Sequence, residues 1–297
     1  MSVVNYRNGN YVVYFDTETG DKTRNTHDTE YKPKFAENCD VTITEYCDGG
    51  CPYCYAGCST KGKHGDLNAA FLKTLHPYTE LAINGNDLSH PDLEDFLTRM
   101  KAQGVIVNIT VNQKHFIQHY NKIIAWQNDK LVHGIGVSYV MPDVEFLQKV
   151  VQCPKVVVHV IEGIITASDI DYLAGQNLNI LILGYKTTGR GAQYVSERES
   201  SVLRNSVWLK NNLKEVFQKF ESVSFDNLAL EHLDVRLAVT DAQWEHHYMG
   251  EDGDFTFFIN LVDGYFAKNS TSAEHYPLMD SVDEMFAFIQ NKRREKL

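Results

Sequence analysis

Six short runs of apolar residues recur through the first two thirds of the chain, and amphipathic stretches separate them. The runs are rich in Val, Ile and Leu at consecutive positions, as is typical of parallel strands covered by helices on both faces. This alternation predicts an α/β fold with a parallel sheet, open or partly closed into a barrel. The predicted strands are 41–46, 81–83, 105–111, 135–140, 155–161 and 179–184. The predicted helices between them are 67–75, 91–104, 117–126, 143–151 and 168–175.

The two ends of the chain do not follow this rhythm. Residues 3–25 predict a small antiparallel unit, with turns at Asn8-Gly9-Asn10 and Thr19-Gly20-Asp21. The C-terminal pattern predicts a long helix over 199–220, a hairpin around Asp263-Gly264 and a closing helix. We therefore predict three parts: an N-terminal β-hairpin extension at 1–37, a core at 38–195, and a helical and hairpin extension at 196–297 packed on the core.

Composition narrows the class of protein. Of the 297 residues, 43% are hydrophobic, which is enough for one large α/β domain or two smaller ones. A net charge of −11 disfavours a nucleic-acid partner, since phosphate binding depends on basic patches. The sequence shows no apolar signal segment and no run of membrane-spanning length, so we expect no membrane partner. The six cysteines lack the pattern of a disulfide framework, which predicts a cytoplasmic protein.

Three of the six cysteines lie close together, directly after the first strand of the core. Cys47, Cys51 and Cys54 form a C-x3-C-x2-C pattern in a glycine-containing loop. In parallel α/β folds, loops at the carboxyl ends of strands carry the chemistry. Iron–sulfur clusters usually take four cysteines, so three thiolates leave one iron of a four-iron cluster without a protein ligand. The pattern therefore predicts a cluster with an open position.

A structural zinc site is the alternative interpretation of the same loop. Cys51 and Cys54 form a C-x2-C pair, and a tetrahedral zinc ion needs two further ligands. No second C-x2-C pair exists downstream. The candidates that would complete the site are Cys39, Cys47, Cys58 and His64.

The C-x3-C-x2-C pattern followed by the aromatic Tyr55 resembles the signature of the radical S-adenosylmethionine (radical SAM) superfamily. The resemblance implies a partial (β/α)6 TIM-like barrel, a [4Fe-4S] cluster on Cys47, Cys51 and Cys54, and S-adenosylmethionine bound at the open iron. It implies an enzyme that cleaves S-adenosylmethionine reductively and uses the 5′-deoxyadenosyl radical to abstract hydrogen from a small molecule or a peptide. An external one-electron reductant of the flavodoxin or ferredoxin type is then an expected partner. A non-enzymatic zinc-binding interaction module is the alternative.

The resemblance also assigns residues around the cofactor. Many members carry a Gly-Gly-Glu motif after the second strand, soon followed by His-Pro-Asp; here Asn84-Gly85-Asn86 and His90-Pro91-Asp92 stand in these places. Asn86 replaces the glutamate, and its amide oxygen accepts a hydrogen bond from an ammonium without a full charge. The residues implied to bind the cofactor are Tyr53, Gly85, Asn86, Asn112, Ser138, His159, Gly184 and Tyr185.

Three further residues at the predicted barrel mouth are candidates for substrate binding: Tyr139, Lys186 and Arg190. For Lys186 and Arg190 a solvated loop is the alternative interpretation. His159 lies inside an apolar strand, where a histidine satisfied within the core is the commoner case. The pattern predicts no catalytic side chain.

Overall fold

The computed structural model describes residues 3–295, which form two sheets and the helices that pack on them. The strands are β1 (Val3–Asn8), β2 (Tyr11–Asp16), β3 (Lys22–Asn25), β4 (Asn38–Thr42), β5 (Glu80–Asn86), β6 (Ile106–Asn112), β7 (Ile135–Ser138), β8 (Val156–Ile161), β9 (Asn179–Leu183), β10 (Ser222–Phe225), β11 (Thr256–Asn260), β12 (Tyr265–Ala267) and β13 (Tyr276–Pro277). Strands β1, β2 and β3 form a small antiparallel sheet. The main sheet has the order β10-β9-β8-β7-β6-β5-β4-β11-β12-β13, parallel from β10 to β11 and antiparallel beyond.

The helices are α1 (Leu93–Gln103), α2 (Gln113–Asn128), α3 (Val144–Gln152), α4 (Ala167–Leu173), α5 (Gly189–Asn211), α6 (Leu213–Phe217), α7 (Asn227–His232), α8 (Val235–Ala238), α9 (Asp241–His247) and α10 (Val282–Arg294). Their ends follow local chemistry. Asp143 caps α3 by accepting from the Phe146 N–H, and Thr166 begins α4 with a capping box. Gly104 ends α1 in the left-handed conformation that glycine adopts without a steric penalty. None of the helices in residues 3–295 combines the length and apolar character needed to cross a bilayer.

The two faces of the main sheet differ in chemistry. Val107 and Ile109 of β6 are buried in the core with the helices, whereas Asn108 and Thr110, which point to the opposite face, are only partly buried. The same alternation on β4 leaves Asp40 exposed on this second face. We call this second, more polar side of the parallel strands the inner face.

The sheet curls so that distant strands approach each other. Desolvation raises the pKa of Asp40 on β4, and the charge of Asp226, which follows β10, raises it further, although five strands lie between β10 and β4. Asn227 at the start of α7 also donates to Asp252, which precedes β11. Side chains therefore bridge the two flanks of the curled sheet, while β10 and β13 remain its edge strands.

The small N-terminal sheet covers the amino end of the parallel strands. Tyr11 packs edge-on against Phe255, just before β11, and the ring of Phe255 also stacks under the Arg24 guanidinium. The carboxylate of Glu37, immediately before β4, is 1% exposed and accepts from the Tyr11 hydroxyl at 2.6 Å and from Arg24 at 3.0 Å. This end of the sheet is therefore closed by aromatic packing around a buried ion pair.

The predicted α/β fold is confirmed, and each of the six predicted core strands corresponds to one of β4 to β9. The sheet is open and larger than six strands, because β10 and β11 add parallel strands on its two sides. Both come from the segment assigned to the C-terminal extension. The hairpin predicted around Asp263-Gly264 is confirmed by the antiparallel pairing of β11 with β12.

Two helix predictions are wrong in extent. The segment 67–75 contains only a 3-10 helix, Ala70–Thr74, and the Gln103 side chain donates to the carbonyls of Leu72 and Leu75 at its end. The helix predicted over 199–220 already begins at Gly189, bends at Arg198 and ends at Asn211, and the shorter α6 follows it. Its early start matters for function, because the first turn of α5 packs against the cysteine loop.

Candidate active site

The cysteine loop leaves the carboxyl end of β4 and is fixed first by two asparagines of β5. Asn84 accepts from the Ile43 N–H at 2.7 Å and donates to the Thr44 carbonyl at 2.6 Å. Asn86 donates to the carbonyls of Thr44 at 3.2 Å and Tyr46 at 3.1 Å. Strand β4 ends at Thr42. Beyond this residue the side chains of Asn84 and Asn86, rather than a neighbouring strand, hydrogen-bond the backbone of residues 43 and 44.

Asn86 adopts a conformation that few residues tolerate. Its φ is +50°, and the pairing of β5 with β6 is irregular between Asn84 and Asn86. Asparagine is among the residues that adopt the left-handed region most readily. The irregularity turns the Asn86 amide toward the cysteine loop, in the place where the resemblance implies a cofactor contact.

The first turn of α5 fixes the other side of the loop. Arg190 donates to the carbonyls of Cys51 at 2.9 Å, Cys58 at 2.8 Å and Gly57 at 3.2 Å. Gly189 allows this approach: a Cβ there would lie 2.4 Å from the Tyr55 carbonyl oxygen, and its φ is +52°. The guanidinium therefore acts as a clamp on the loop backbone.

A third contact holds the start of the loop. Asp48 pairs with the buried His115 and with Lys114, both in the first turn of α2. The hydrogen bond from His115 and then that from Lys114 lower the pKa of Asp48. Asn112 caps the same helix by accepting from the Lys114 N–H. The loop is thus tied to β5, α5 and α2, which carry three of the predicted site residues.

The three thiols are partly exposed, and each has a hydrogen-bonding neighbour. The Gly49 N–H donates to Cys47 Sγ at 3.3 Å. The Asn112 side-chain amide donates to Cys51 Sγ at 3.2 Å. Burial raises the pKa of Cys47 and of Cys51, whereas a hydrogen bond with the Cys58 thiol lowers that of Cys54.

The donor set of the loop consists of thiols, the ligand type that iron–sulfur clusters take. Within residues 3–295, no three His, Cys, Asp or Glu side chains are arranged to hold one metal ion. Three free thiols on one clamped loop, each beside a donor that stabilises a thiolate, are chemically fitted to iron.

Three of the predicted cofactor residues form a row on the inner face. Asn112 pairs in register with Ser138, and Ser138 pairs with His159 on the next strand. The row begins at the cysteine loop, since Asn112 contacts Cys51. Strand ends from three neighbouring strands therefore face one region beside the thiols, as in other parallel α/β sites.

The inner face carries two titratable groups whose neutral forms are favoured, His159 in the row itself and Asp40 on β4. The ring of His159 lies over Gly136, where a Cβ would come within 2.4 Å of it, and desolvation lowers the His159 pKa to about 4. Desolvation raises the pKa of Asp40 to about 6, although its side chain is exposed. Desolvation thus favours the neutral form of both groups on the inner face.

The other predicted cofactor residues have different surroundings. The Tyr53 hydroxyl is buried without a hydrogen-bond partner among residues 3–295, and its ring meets Tyr194 edge-on. An unsatisfied buried hydroxyl beside the thiols is a donor that a bound ligand would satisfy. Gly85 and Gly184 allow close packing, because a Cβ would lie 2.6 Å from Ile109 and 2.5 Å from Leu228, respectively.

The predicted substrate residues all have partners within the protein, as does Tyr185. Tyr139 donates to Asp169 at 3.0 Å. Lys186 donates to Ser270 at 3.1 Å and lies over the Tyr55 ring. Arg190 holds the loop carbonyls, and the Tyr185 hydroxyl donates to Gly191 at 2.6 Å. Substrate binding by Tyr139, Lys186 or Arg190 stays a prediction.

The sequence analysis missed one pairing in the site, and it named Cys58 and His90 without the contacts that the structure shows. The pairing of Asp48 with His115 joins residues far apart in sequence, and no local pattern signals it. Cys58 carried a signal, since it extends the cysteine spacing to C-x3-C-x2-C-x3-C, and it lies against Cys54. His90 of His90-Pro91-Asp92 also has a visible structural role, because it binds the Gly65 carbonyl at the far end of the loop.

Comparison with known proteins identifies the fold. No protein-family model matches the chain, and no curated protein matches it. Among solved structures, SuiB of Streptococcus suis superposes with a TM-score of 0.54 at 10% identity, over 90% of this chain and 81% of SuiB. The chain has the fold of SuiB.

Two further structures of SuiB match over less of its length. SuiB bound to S-adenosylmethionine gives a TM-score of 0.50 at 12% identity, over 82% of this chain and 64% of SuiB. SuiB bound to the precursor peptide SuiA gives 0.49 at 12% identity, over 80% and 60%. The chain thus spans less than two thirds of SuiB in these two structures.

Proposed function

We propose that this chain is a radical SAM enzyme that holds a [4Fe-4S] cluster on Cys47, Cys51 and Cys54 and binds S-adenosylmethionine at the iron without a cysteine ligand. The observation that carries the proposal is the clamped loop, in which the three thiols lie beside the row of strand-end side chains that begins at Asn112. The fold shared with SuiB, which has been solved bound to S-adenosylmethionine, supports it.

The cluster would supply one electron to S-adenosylmethionine, whose cleavage would release methionine and a 5′-deoxyadenosyl radical. An external reductant of the flavodoxin or ferredoxin type would supply that electron to the cluster. The side chains of the protein would bind S-adenosylmethionine and orient it. Asn86 offers its amide oxygen to the methionine ammonium, and Ser138 offers a hydroxyl at the next position along the site. Tyr53 offers its unpaired hydroxyl.

In this proposal the inner face between the row and Asp40 provides the substrate chamber. Asp40 and His159 line it, and desolvation favours the neutral form of both. A polar, desolvated environment of this kind excludes bulk water from a reactive intermediate while it still offers hydrogen bonds. We place the substrate here, whether a small molecule or a peptide side chain, and the protein in a reducing compartment, the cytoplasm.

The direct test replaces Cys47, Cys51 and Cys54 together by Ala and reconstitutes the protein anaerobically with iron and sulfide. We expect the brown chromophore and the bound iron and sulfide to be lost, because no thiolate remains at the site. The 5′-deoxyadenosine that the wild-type protein forms with S-adenosylmethionine and a reductant should also disappear.

Cys153→Ala is the matched control, since Cys153 is a buried thiol that contacts Gln127 rather than the loop. It should keep colour and activity. Retention of the cluster in the triple variant contradicts the assignment of its ligands. Stoichiometric zinc without sulfide in the wild-type protein would instead favour the interaction module.

A further inference from the structure

A cleft lies beside the amino end of the main sheet, between the small sheet and the last turns of α10; we call it the amino-end cleft. Its lining residues come from two parts of the chain, 24–32 before β4 and 248–294 after α9. Its volume is about 730 Å³, which lies in the range of sites for small organic ligands. The cleft is separate from the cysteine loop, which leaves the opposite, carboxyl end of the sheet.

One wall of the amino-end cleft is aromatic and held in place. The Tyr31 ring meets the rings of Tyr11 and Phe255 edge-on, with centroids 5.1 and 6.0 Å away. Its hydroxyl donates to the Arg24 carbonyl at 3.0 Å. Tyr31 is nevertheless 43% exposed, and Met249, which also lines the cleft, is 50% exposed. Large apolar side chains exposed together on a concave surface are typical of a binding site.

A second wall is held by α10. Gln290 donates to the Asp254 carbonyl at 2.9 Å, and the Arg293 guanidinium pairs with the Asp254 carboxylate. The same carboxylate accepts from the Glu251 N–H at 2.7 Å. Both walls are therefore fixed without a ligand, and a site that is ordered in advance loses less entropy when it binds one.

The charges that line the cleft do not cancel. Four cationic side chains and two carboxylates line it: Arg24, Lys32, Arg293 and Arg294, with Glu30 and Asp254. Arg24 is paired with the buried Glu37, and Arg293 with Asp254. Among residues 3–295, Lys32, Arg294 and Glu30 have no ion-pair partner. Two free cations thus face one free carboxylate, in a chain whose net charge is −11.

We propose that the amino-end cleft binds a small organic anion. Its carboxylate or phosphate group pairs with Lys32 and Arg294, and its apolar body packs against Tyr31 and Met249. Hydrogen bonds between charged groups are stronger than those between neutral ones, so the free cations select an anion. The inference goes beyond the proposed function and does not depend on it, because the lining residues lie outside the cysteine loop and the row on the inner face.

The test titrates the full chain, after anaerobic reconstitution, with three ligands that share one aromatic body: naphthaleneacetate, naphthyl phosphate and the neutral naphthaleneethanol. Isothermal titration calorimetry measures each affinity. We expect one of the two anions to bind at one molecule per chain and at least about tenfold more tightly than the alcohol, because only an anion pairs with the free cations. The tighter of the two anions shows whether the cleft takes a carboxylate or a phosphate.

Replacing Lys32 and Arg294 together by Gln removes the free cations of the cleft. The affinity for the preferred anion should fall at least about tenfold, while the affinity for the alcohol stays unchanged. Lys73→Gln with Arg204→Gln is the matched control, since it removes one lysine and one arginine charge at exposed positions outside the cleft. It should change neither affinity. Glu30→Gln removes the opposing carboxylate and should tighten anion binding.

Three results overturn the inference. The first is equal affinity of the wild-type protein for the anions and the alcohol, and the second is anion binding that survives the loss of both cations. The third is an equal loss in the Lys73 and Arg204 control, which would assign the effect to net charge rather than to the cleft. Lys32 and Arg294 are exposed, so their variant should fold, and Glu30→Gln gives an independent test in which affinity rises. A chain that binds no cluster would contradict the proposed function and leave this inference standing.

Discussion

The two ends of the parallel sheet are held by different kinds of interaction. At the amino end, aromatic rings of the small sheet surround the buried ion pair of Arg24 with Glu37. At the carboxyl end, the cysteine loop is fixed mainly by hydrogen bonds from side chains to its backbone, above all those of Asn86 and Arg190. Buried charge and aromatic area stabilise the whole fold, whereas the loop contacts fix local geometry.

The stability of the fold and the geometry of the cysteine site therefore depend on different ends of the sheet. The cysteine loop contains several glycines and is partly exposed, so its residues bury little apolar surface. Their positions depend on neighbours that belong to rigid elements, namely β5, α2 and α5. A change at one end should therefore affect a different measurement from a change at the other, and the following predictions test that difference.

The largest effect on stability is expected at the amino end. Arg24→Ala leaves the Glu37 carboxylate, which is 1% exposed, without its guanidinium partner. Breaking a buried ion pair by removing one partner typically costs about 3–5 kcal/mol. We expect the free energy of unfolding in urea to fall by about that amount, while the folded variant binds iron as the wild-type protein does.

Arg204→Ala is the control, because Arg204 lies on the exposed side of α5. It should change stability by less than about 0.5 kcal/mol. If Arg24→Ala lowers the free energy of unfolding no more than Arg204→Ala does, the ion pair at the amino end does not stabilise the fold as predicted.

At the carboxyl end, Arg190→Ala should affect the cluster more than the fold. The change removes side-chain donors from the carbonyls of Cys51, Gly57 and Cys58. Hydrogen bonds from a charged group contribute about 1.5–3 kcal/mol each when they are well formed. We expect iron to be lost to a chelator at least about tenfold faster, with a change in unfolding free energy smaller than that of Arg24→Ala.

Arg190→Lys sharpens this test. A lysine keeps the charge but lacks the planar fork that reaches several carbonyls at once, so it should rescue little. Arg204→Ala, on the exposed side of α5, is the control outside the loop and should leave iron loss unchanged. Full rescue by lysine would mean that charge, rather than the clamp, retains the cluster.

The same comparison explains how much of the structure could be predicted from the sequence. The strands β5 to β9 are visible because each is a continuous apolar run with a helix after it. The pairing of β11 beside β4 was not predictable, because it joins Thr256–Asn260 to Asn38–Thr42 across most of the chain. No local pattern encodes a contact of that range.

For the site, spacing identified the three cysteines but not what holds them. The C-x3-C-x2-C pattern is local, whereas the Arg190 clamp depends on α5 beginning at Gly189, earlier than its apolar periodicity indicates. The structure places three of the predicted polar residues, Asn112, Ser138 and His159, in register on neighbouring strands. Their individual roles toward a cofactor stay predictions.

The smallest effect is expected in the chamber between the two ends, at Asp40. Its folded-state pKa is about 6 instead of 3.8, so the folded protein binds a proton more tightly than the unfolded chain between these values. The stability that Asp40 affects is therefore highest below about pH 4 and falls as the pH rises to about 6. Asp40→Asn removes this dependence: the variant should match the wild-type protein near pH 4 and be more stable at pH 7.

His159, with a pKa lowered to about 4, contributes the opposite slope in both proteins, so the difference between them isolates Asp40. Urea unfolding across this range measures it, with Glu199→Gln on the exposed side of α5 as control. A pH-independent difference would mean that Asp40 is open to bulk water and that no enclosed chamber separates the ends of the sheet.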